Sequence, residues 1–199
     1  MKIFFTSSIT GLKKYRSNCK RISKALKKQR QHKVVEDFLS ITKAQDRQKT
    51  KNKSKYLYKY ITEKIREADV FVAEMSYRSA PVSYQLTYAL EHKKPILYLV
   101  DKKKGNPPHG IFKGNPSKYL FIREYEKADL EEIILNFLND SKRLLMRRFN
   151  FLLPAELDEY LRIRAALNRT SKGELIRELI EKEVENDEQF ARIKKPLNS

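Results

Sequence analysis

The chain predicts an α/β protein, a parallel five-stranded sheet with helices on both faces, followed by a small second domain. Short apolar runs rich in Val, Ile, Phe and Tyr recur through the first 140 residues and alternate with helix-period segments, as expected of strands buried between crossover helices. From 147 onward the pattern changes to one alternating segment and two amphipathic helical segments. The charge changes with it: residues 1–60 hold 18 basic and 3 acidic residues, whereas residues 151–199 carry a net charge of −1.

Strands are predicted at 3–6, 33–36, 70–73, 96–100 and 119–122. The helices between them are expected at 13–30, 55–67 and 80–92, with a last one at 127–140. In the first helix Cys19 shares an apolar stripe with Tyr15, Ile22 and Leu26, which makes it a core residue. This alternation suggests a flavodoxin-like or Rossmann-like layer, whose ligands sit beyond the carboxyl ends of the strands. The site is therefore expected around Ser7, Ser8 and the loop after Ala73. The organisation read from the sequence is a domain at 1–140, a short linker at 141–146, a module at 147–187 and a loosely ordered tail at 188–199.

In the module, 147–153 alternates with period two, so Phe149, Phe151 and Leu153 share one face and Arg148, Asn150 and Leu152 the other. Pro154 closes that strand and opens a helix at 155–167. A second helix follows Asn168-Arg169-Thr170-Ser171. Ser171-Lys172-Gly173-Glu174 fits a capping box, with Thr170 an alternative cap. The segment resembles the Arc-like ribbon-helix-helix family. That resemblance implies a homodimer whose paired strands enter the major groove of DNA, with Arg148, Asn150 and Leu152 as base readers. Thr170, Ser171 and Lys172 would then meet phosphate at the second helix's amino terminus.

A second resemblance spans residues 2–140. Phe5-Thr6-Ser7-Ser8-Ile9-Thr10-Gly11, then Asp69-Val70-Phe71-Val72-Ala73-Glu74, then Arg78-Ser79-Ala80-Pro81-Val82-Ser83-Tyr84-Gln85-Leu86 and Lys94-Pro95 resemble the nucleoside 2-deoxyribosyltransferase family. The deoxynucleoside monophosphate N-glycosidases are the branch nearest in pattern. The resemblance implies that Ser7, Ser8, Gly11 and Ser79 hold sugar and phosphate. It also implies a carboxylate nucleophile, with a second acid nearby to handle the leaving base. This chain has Gln85 at the nucleophile's position and Ile61 at that of the second acid. A neutral amide cannot form a glycosyl ester, so no catalytic residue is expected in the family's sense. Glu74 is the best-placed substitute acid, and Asp69 is a further candidate ligand-binding residue.

The formal charge of +18 and pI near 9.8 point toward nucleic acid or polyphosphate. A single cysteine excludes an internal disulfide framework, no apolar run is long enough for a bilayer, and the amino terminus lacks a signal-sequence pattern, so a cytoplasmic protein without membrane association is expected. His32, His92 and His109 lack metal-ligand spacing, so neither a metal nor a cofactor is expected. Lysines alternating through 49–55 ahead of Tyr56, Tyr58 and Tyr60 read as a solvated loop, a nucleic-acid track or a lid. The function expected is a homodimeric DNA-binding regulator with a degenerate, nucleotide-sensing domain. Two alternatives stand beside it: an active deoxyribosyltransferase or N-glycosidase dimerised by its carboxyl-terminal module, and an antitoxin-like or defence-associated interaction protein.

Overall fold

The computed structural model describes residues 1–29, 31–36, 53–146 and 150–190. The chain divides into two compact units, Met1–Arg147 and Arg148–Ser199. In the first, β1 (Lys2–Ser7) leads into α1 (Leu12–Lys28), β2 (Lys33–Glu36) and α2 (Lys53–Glu67). β3 (Val70–Glu74), α3 (Ala80–Glu91), β4 (Ile96–Asp101) and the single turn α4 (Gly110–Lys113) follow, and β5 (Leu120–Tyr125) and α5 (Leu130–Leu145) complete the unit. The sheet order is β2-β1-β3-β4-β5, with every pair parallel.

The sheet is doubly wound, and its two faces pack into separate cores. Ile3, Phe5, Val70, Val72, Leu97 and Leu99 face α1 and α5, where Ile22, Leu26, Ile134 and Leu138 meet them. Phe4, Phe71, Ala73, Ile96 and Tyr98 face the other way, onto Ile65 of α2 and Val82 and Leu86 of α3. Full burial of each such large side chain contributes about 1.5–3 kcal/mol. Cys19 is fully buried in the first core.

The elements depart from expectation mainly at their ends. β5 starts one residue late and runs three further, through Tyr125, which is buried. The last helix begins at Leu130 rather than 127 and continues through Leu145. Ser141, fully buried, carries its inner stripe past residue 140, so most of the expected linker is helix. Of the lysine-rich segment, residues 37–52 lie outside the described residues. Tyr56, Tyr58 and Tyr60 belong to α2, and Tyr56 and Tyr58 are exposed.

The second unit contains α6 (Ala155–Leu167) and α7 (Lys172–Asn186). Ser171 is the cap of α7, its hydroxyl accepting from the Glu174 amide at 3.1 Å; the alternative cap Thr170 does not take that role. Arg169, in the left-handed region at φ 51°, turns the chain between the helices. Of the expected strand at 147–153, residues 147–149, with Arg148, lie outside the described residues. Asn150, Phe151, Leu152 and Leu153 form no strand. A ladder needs a second strand, and the described residues of this unit offer none. The tail beyond residue 190 also lies outside the described residues. Among the described residues no helix is long and apolar enough to cross a membrane.

Candidate active site

A cleft of about 430 Å³ opens at the carboxyl ends of β1 and β3, between the loop after β1, the start of α3 and one side of α2. β1 ends in Ser7, which lines the cleft and accepts a hydrogen bond from the Cys19 thiol at 3.1 Å. Ser8 is buried and does not line it. Its hydroxyl pairs with Thr10 at 2.9 Å and accepts from the Gly11 amide at 3.1 Å, so Ser8 ties the loop to itself. Gly11 leaves room for a neighbour: a Cβ there would stand 2.6 Å from Cβ of Tyr77, a cleft-lining residue. The close approach, rather than a special backbone angle, requires glycine.

Ser79 occupies the cap position of α3 without making a side-chain cap bond, and it also lines the cleft. Gln85, one and a half turns further on, is buried, and its Oε1 has no hydrogen-bond partner. A buried amide oxygen without a donor costs about 1–3 kcal/mol, and a ligand hydroxyl or amine in the cleft would remove that penalty. Ile61 faces the same space from α2. Gln85 and Ile61, which the resemblance aligns with the family's two acids, thus converge on one cavity, and among the described residues no carboxylate lines it.

Glu74 and Asp69 depart from the expected site. Glu74 continues the β3 alternation of Val70 and Val72 toward α1 and α5, on the opposite face of the sheet from α3 and Gln85. Its Oε1 accepts from the Ser76 hydroxyl, from the Ser76 amide at 3.3 Å and from the Tyr125 hydroxyl at 3.3 Å, while Oε2 has no partner. Burial pushes its carboxyl up to about 7, against the opposing effect of the Ser76 and Tyr125 hydrogen bonds. Asn18 joins the same cluster, donating to Asp101 at 2.7 Å and to the Tyr125 hydroxyl at 2.8 Å. Burial raises the Asp101 carboxyl, but bonds from Asn18 and from the Lys104 and Lys103 amides outweigh it, and the net shift is downward. Asp69 lies at the sheet's amino edge, where its carboxylate accepts from the Lys2 amide at 2.6 Å. It precedes its strand, so it cannot reach a site built where strands end.

The sequence reading did not single out Tyr77, Leu57 or Arg78 as cleft residues. Among the described residues Arg78 is the one charged side chain on the wall, and it also donates to the Pro107 carbonyl at 3.3 Å. Its place directly before Ser79 was the available signal. A larger cavity of about 650 Å³ lies across Arg78, Ser79 and Ala80, bounded by Tyr84, Tyr98, His109 and Phe112. The smaller cleft is the candidate site because Ser7, Ser79, Gln85 and Ile61 meet there.

In the second unit Asn150 is exposed and Leu152 almost wholly so. The Lys172 ammonium is paired with Asp158 at 2.7 Å, so the cation expected to meet phosphate is already occupied.

No protein-family model matches the chain. A protein of Nematostella vectensis named 2'-deoxynucleoside 5'-phosphate N-hydrolase 1 is 31% identical over 141 residues, covering 68% of this chain and 92% of that protein. A protein of the same name from Syntrophotalea carbinolica is 33% identical over 141 residues, covering 71% of this chain and 96% of its own length. The chain belongs to this N-hydrolase family. The solved structure of Clostridium botulinum CMP N-glycosidase overlaps 68% of this chain and 99% of its own, at 15% identity and a TM-score of 0.47. Within the N-hydrolase family, then, this chain carries a cleft lined by an arginine, two serines and a glutamine whose buried amide oxygen has no partner, and among the described residues no carboxylate lines it.

Proposed function

We propose that the cleft of this N-hydrolase family member binds a 2'-deoxynucleoside 5'-phosphate and holds it without rapid cleavage. Family membership supports the ligand class, and Arg78, with Ser7 and Ser79, supplies the charge and hydroxyls a sugar phosphate needs. The observation that carries the absence of turnover is the pairing of Gln85 with Ile61 across the cleft. Covalent glycosyl transfer needs a carboxylate to attack the anomeric carbon and an acid for the departing base. Among the described residues neither lines this wall, and Glu74 faces the other side of the sheet.

The rival reading is an active N-hydrolase, which membership in a family of that name favours directly. Both are tested by titrating the protein with each common deoxynucleoside monophosphate in a calorimeter and following free base by chromatography. Binding with no base above the uncatalysed background is the expected result. Enzyme-dependent release of base replaces the binder with the hydrolase, and absence of both binding and release removes both readings.

The carboxyl-terminal unit supports a second role, as a ribbon-helix-helix dimer that binds DNA. The specific observation is apolar exposure: Leu157, Tyr160, Leu167, Leu179 and Ile180 are exposed, while Leu161, Ala165 and Leu175 are the buried hydrophobics of this unit. Such a unit covers its apolar surface with a second copy more readily than with water. Anisotropy of the intact protein on its own promoter and on scrambled DNA tests the role, with Asn150→Ala expected to erase any preference. Equal binding to both DNAs leaves dimerisation without sequence reading.

A further inference from the structure

We propose that the outer face of α1 is a docking surface for the phosphate backbone of a nucleic-acid duplex. Eight of the seventeen residues of α1 are Lys or Arg and none is acidic. At 100° per residue all eight fall within an arc of about 160°. The complementary arc carries Tyr15, Asn18, Cys19, Ile22 and Leu26, buried against the sheet. The division is clean, so packing of the inner stripe holds every cation outward. Lys13, Lys20 and Lys24 run along the middle of that face, spanning about 17 Å at 1.5 Å per residue.

A solvated basic helix normally carries acids among its cations, because i,i+4 pairs of opposite charge support it. This helix has none, and among the described residues no acidic side chain lies within ion-pair distance of Lys13, Arg16, Lys20 or Lys24. Lys28, at the end of the helix, pairs with Glu131 at 2.7 Å. The uncompensated repulsion has a cost in the free protein that a polyanion removes. The surface also extends beyond the helix. The Tyr15 hydroxyl bonds to the Lys104 carbonyl, and Asn18 bonds to Asp101, so loop 102–104 is fastened beside α1; Lys102 and Lys103 pair with Glu126 at 3.7 and 3.0 Å, and Lys104 is the cation this loop adds to the face.

Duplex backbone fits this face better than an anionic membrane does. DNA presents one phosphate per about 1.7 Å of axis, so a 17 Å row of cations meets several phosphates at once. Membrane-surface helices insert an apolar face into the bilayer, and here that face is buried in the protein core. The face holds no aromatic or amide side chain at its centre to read base edges, so the contact is independent of sequence.

The test is fluorescence anisotropy of the full chain on a labelled random-sequence duplex across a salt series. It compares the wild type with Lys13→Gln/Lys20→Gln/Lys24→Gln and with Lys113→Gln/Lys118→Gln/Lys127→Gln, a control with the same change in net charge on exposed lysines elsewhere. Melting curves by circular dichroism establish that both variants remain folded. The α1 variant is expected to flatten the slope of log affinity against log salt by about 2 to 3, near 0.9 for each lost phosphate contact, while the control keeps the wild-type slope. Equal losses in both variants overturn the proposal in favour of net charge alone, and an unchanged α1 variant overturns it outright. A parallel measurement on phosphatidylserine vesicles separates the other polyanion: an α1 variant that loses vesicle binding but not duplex binding also overturns the assignment. The proposal rests on neither the cleft nor the carboxyl-terminal unit, because a loss at α1 affects promoter and scrambled DNA equally.

Discussion

The two faces of the sheet meet the same strand ends with opposite chemistry. Toward α3, the cleft is lined by Gln85, Ile61 and Ser79, with Ser7 at its floor, and among the described residues by no acid. On the α1 side, Glu74, 1% exposed, is enclosed with Asn18, Ser76 and Tyr125, and the partly exposed Asp101 is tied to the same cluster through Asn18. The Glu74 carboxylate stands at the carboxyl edge of the sheet, but it is buried away from the cleft. Counting acids near strand ends therefore says little about catalysis until the face of each is known.

The largest effect expected from breaking this contrast is at Gln85. Gln85→Glu, alone and with Ile61→Asp, restores acids to the open face, and base release from deoxynucleoside monophosphates should rise by on the order of 100-fold or more over the wild type. Chromatography of free base measures it, and no gain in the double variant shows that the cleft lacks more than its acids.

Next comes Glu74. Its folded carboxyl titrates near 7, above the ordinary value of 4.5. The folded state therefore holds the proton more tightly than the unfolded chain. Stability is highest below the unfolded value and declines as pH rises from about 4.5 to about 7, by on the order of 3 kcal/mol in total. Glu74→Gln keeps the neutral form at all pH values, so denaturation midpoints at pH 8 should rise above wild type and this decline should disappear. Hydrolysis gained through Gln85→Glu should survive Glu74→Gln, because the two side chains occupy different faces.

A smaller effect is expected where the cleft is shaped rather than charged. Gly11→Ala forces Tyr77 aside, and overpacking of this kind costs about 1–3 kcal/mol; calorimetry should read most of it as weaker nucleotide affinity. The smallest is Tyr125→Phe, which removes one donor to Glu74 and should cost about 0.5–1.5 kcal/mol of stability with no change in nucleotide affinity.

Much of this was legible in the sequence. The central strands β1, β3 and β4 are parallel and buried on both faces, so each appears as a continuous apolar run, and the helices between the strands keep a clear apolar stripe. The same burial hides orientation. In β3 every residue from Val70 to Glu74 is buried, so hydropathy gives no inside or outside, and the side to which Glu74 points emerges only from its neighbours Val70 and Val72 in the packed sheet. Asp69 was misjudged although the information was present, since a residue that precedes a strand lies at the edge opposite the ligand. The Ser171 cap was readable because it is local chemistry. Contact between Gly11 and Tyr77 was not, because the two are far apart in sequence and meet only when β1 pairs with β3.

The sheet ends on one side in its shortest described strand, and charge is part of both borders. β2 has four residues and begins with Lys33, which is exposed, and β5 carries Arg123 and Glu124, both exposed. Short, charged borders discourage another chain from adding a strand. Self-association of this molecule by continuation of its sheet is thereby disfavoured, and the same borders limit edge-to-edge aggregation when the protein is concentrated.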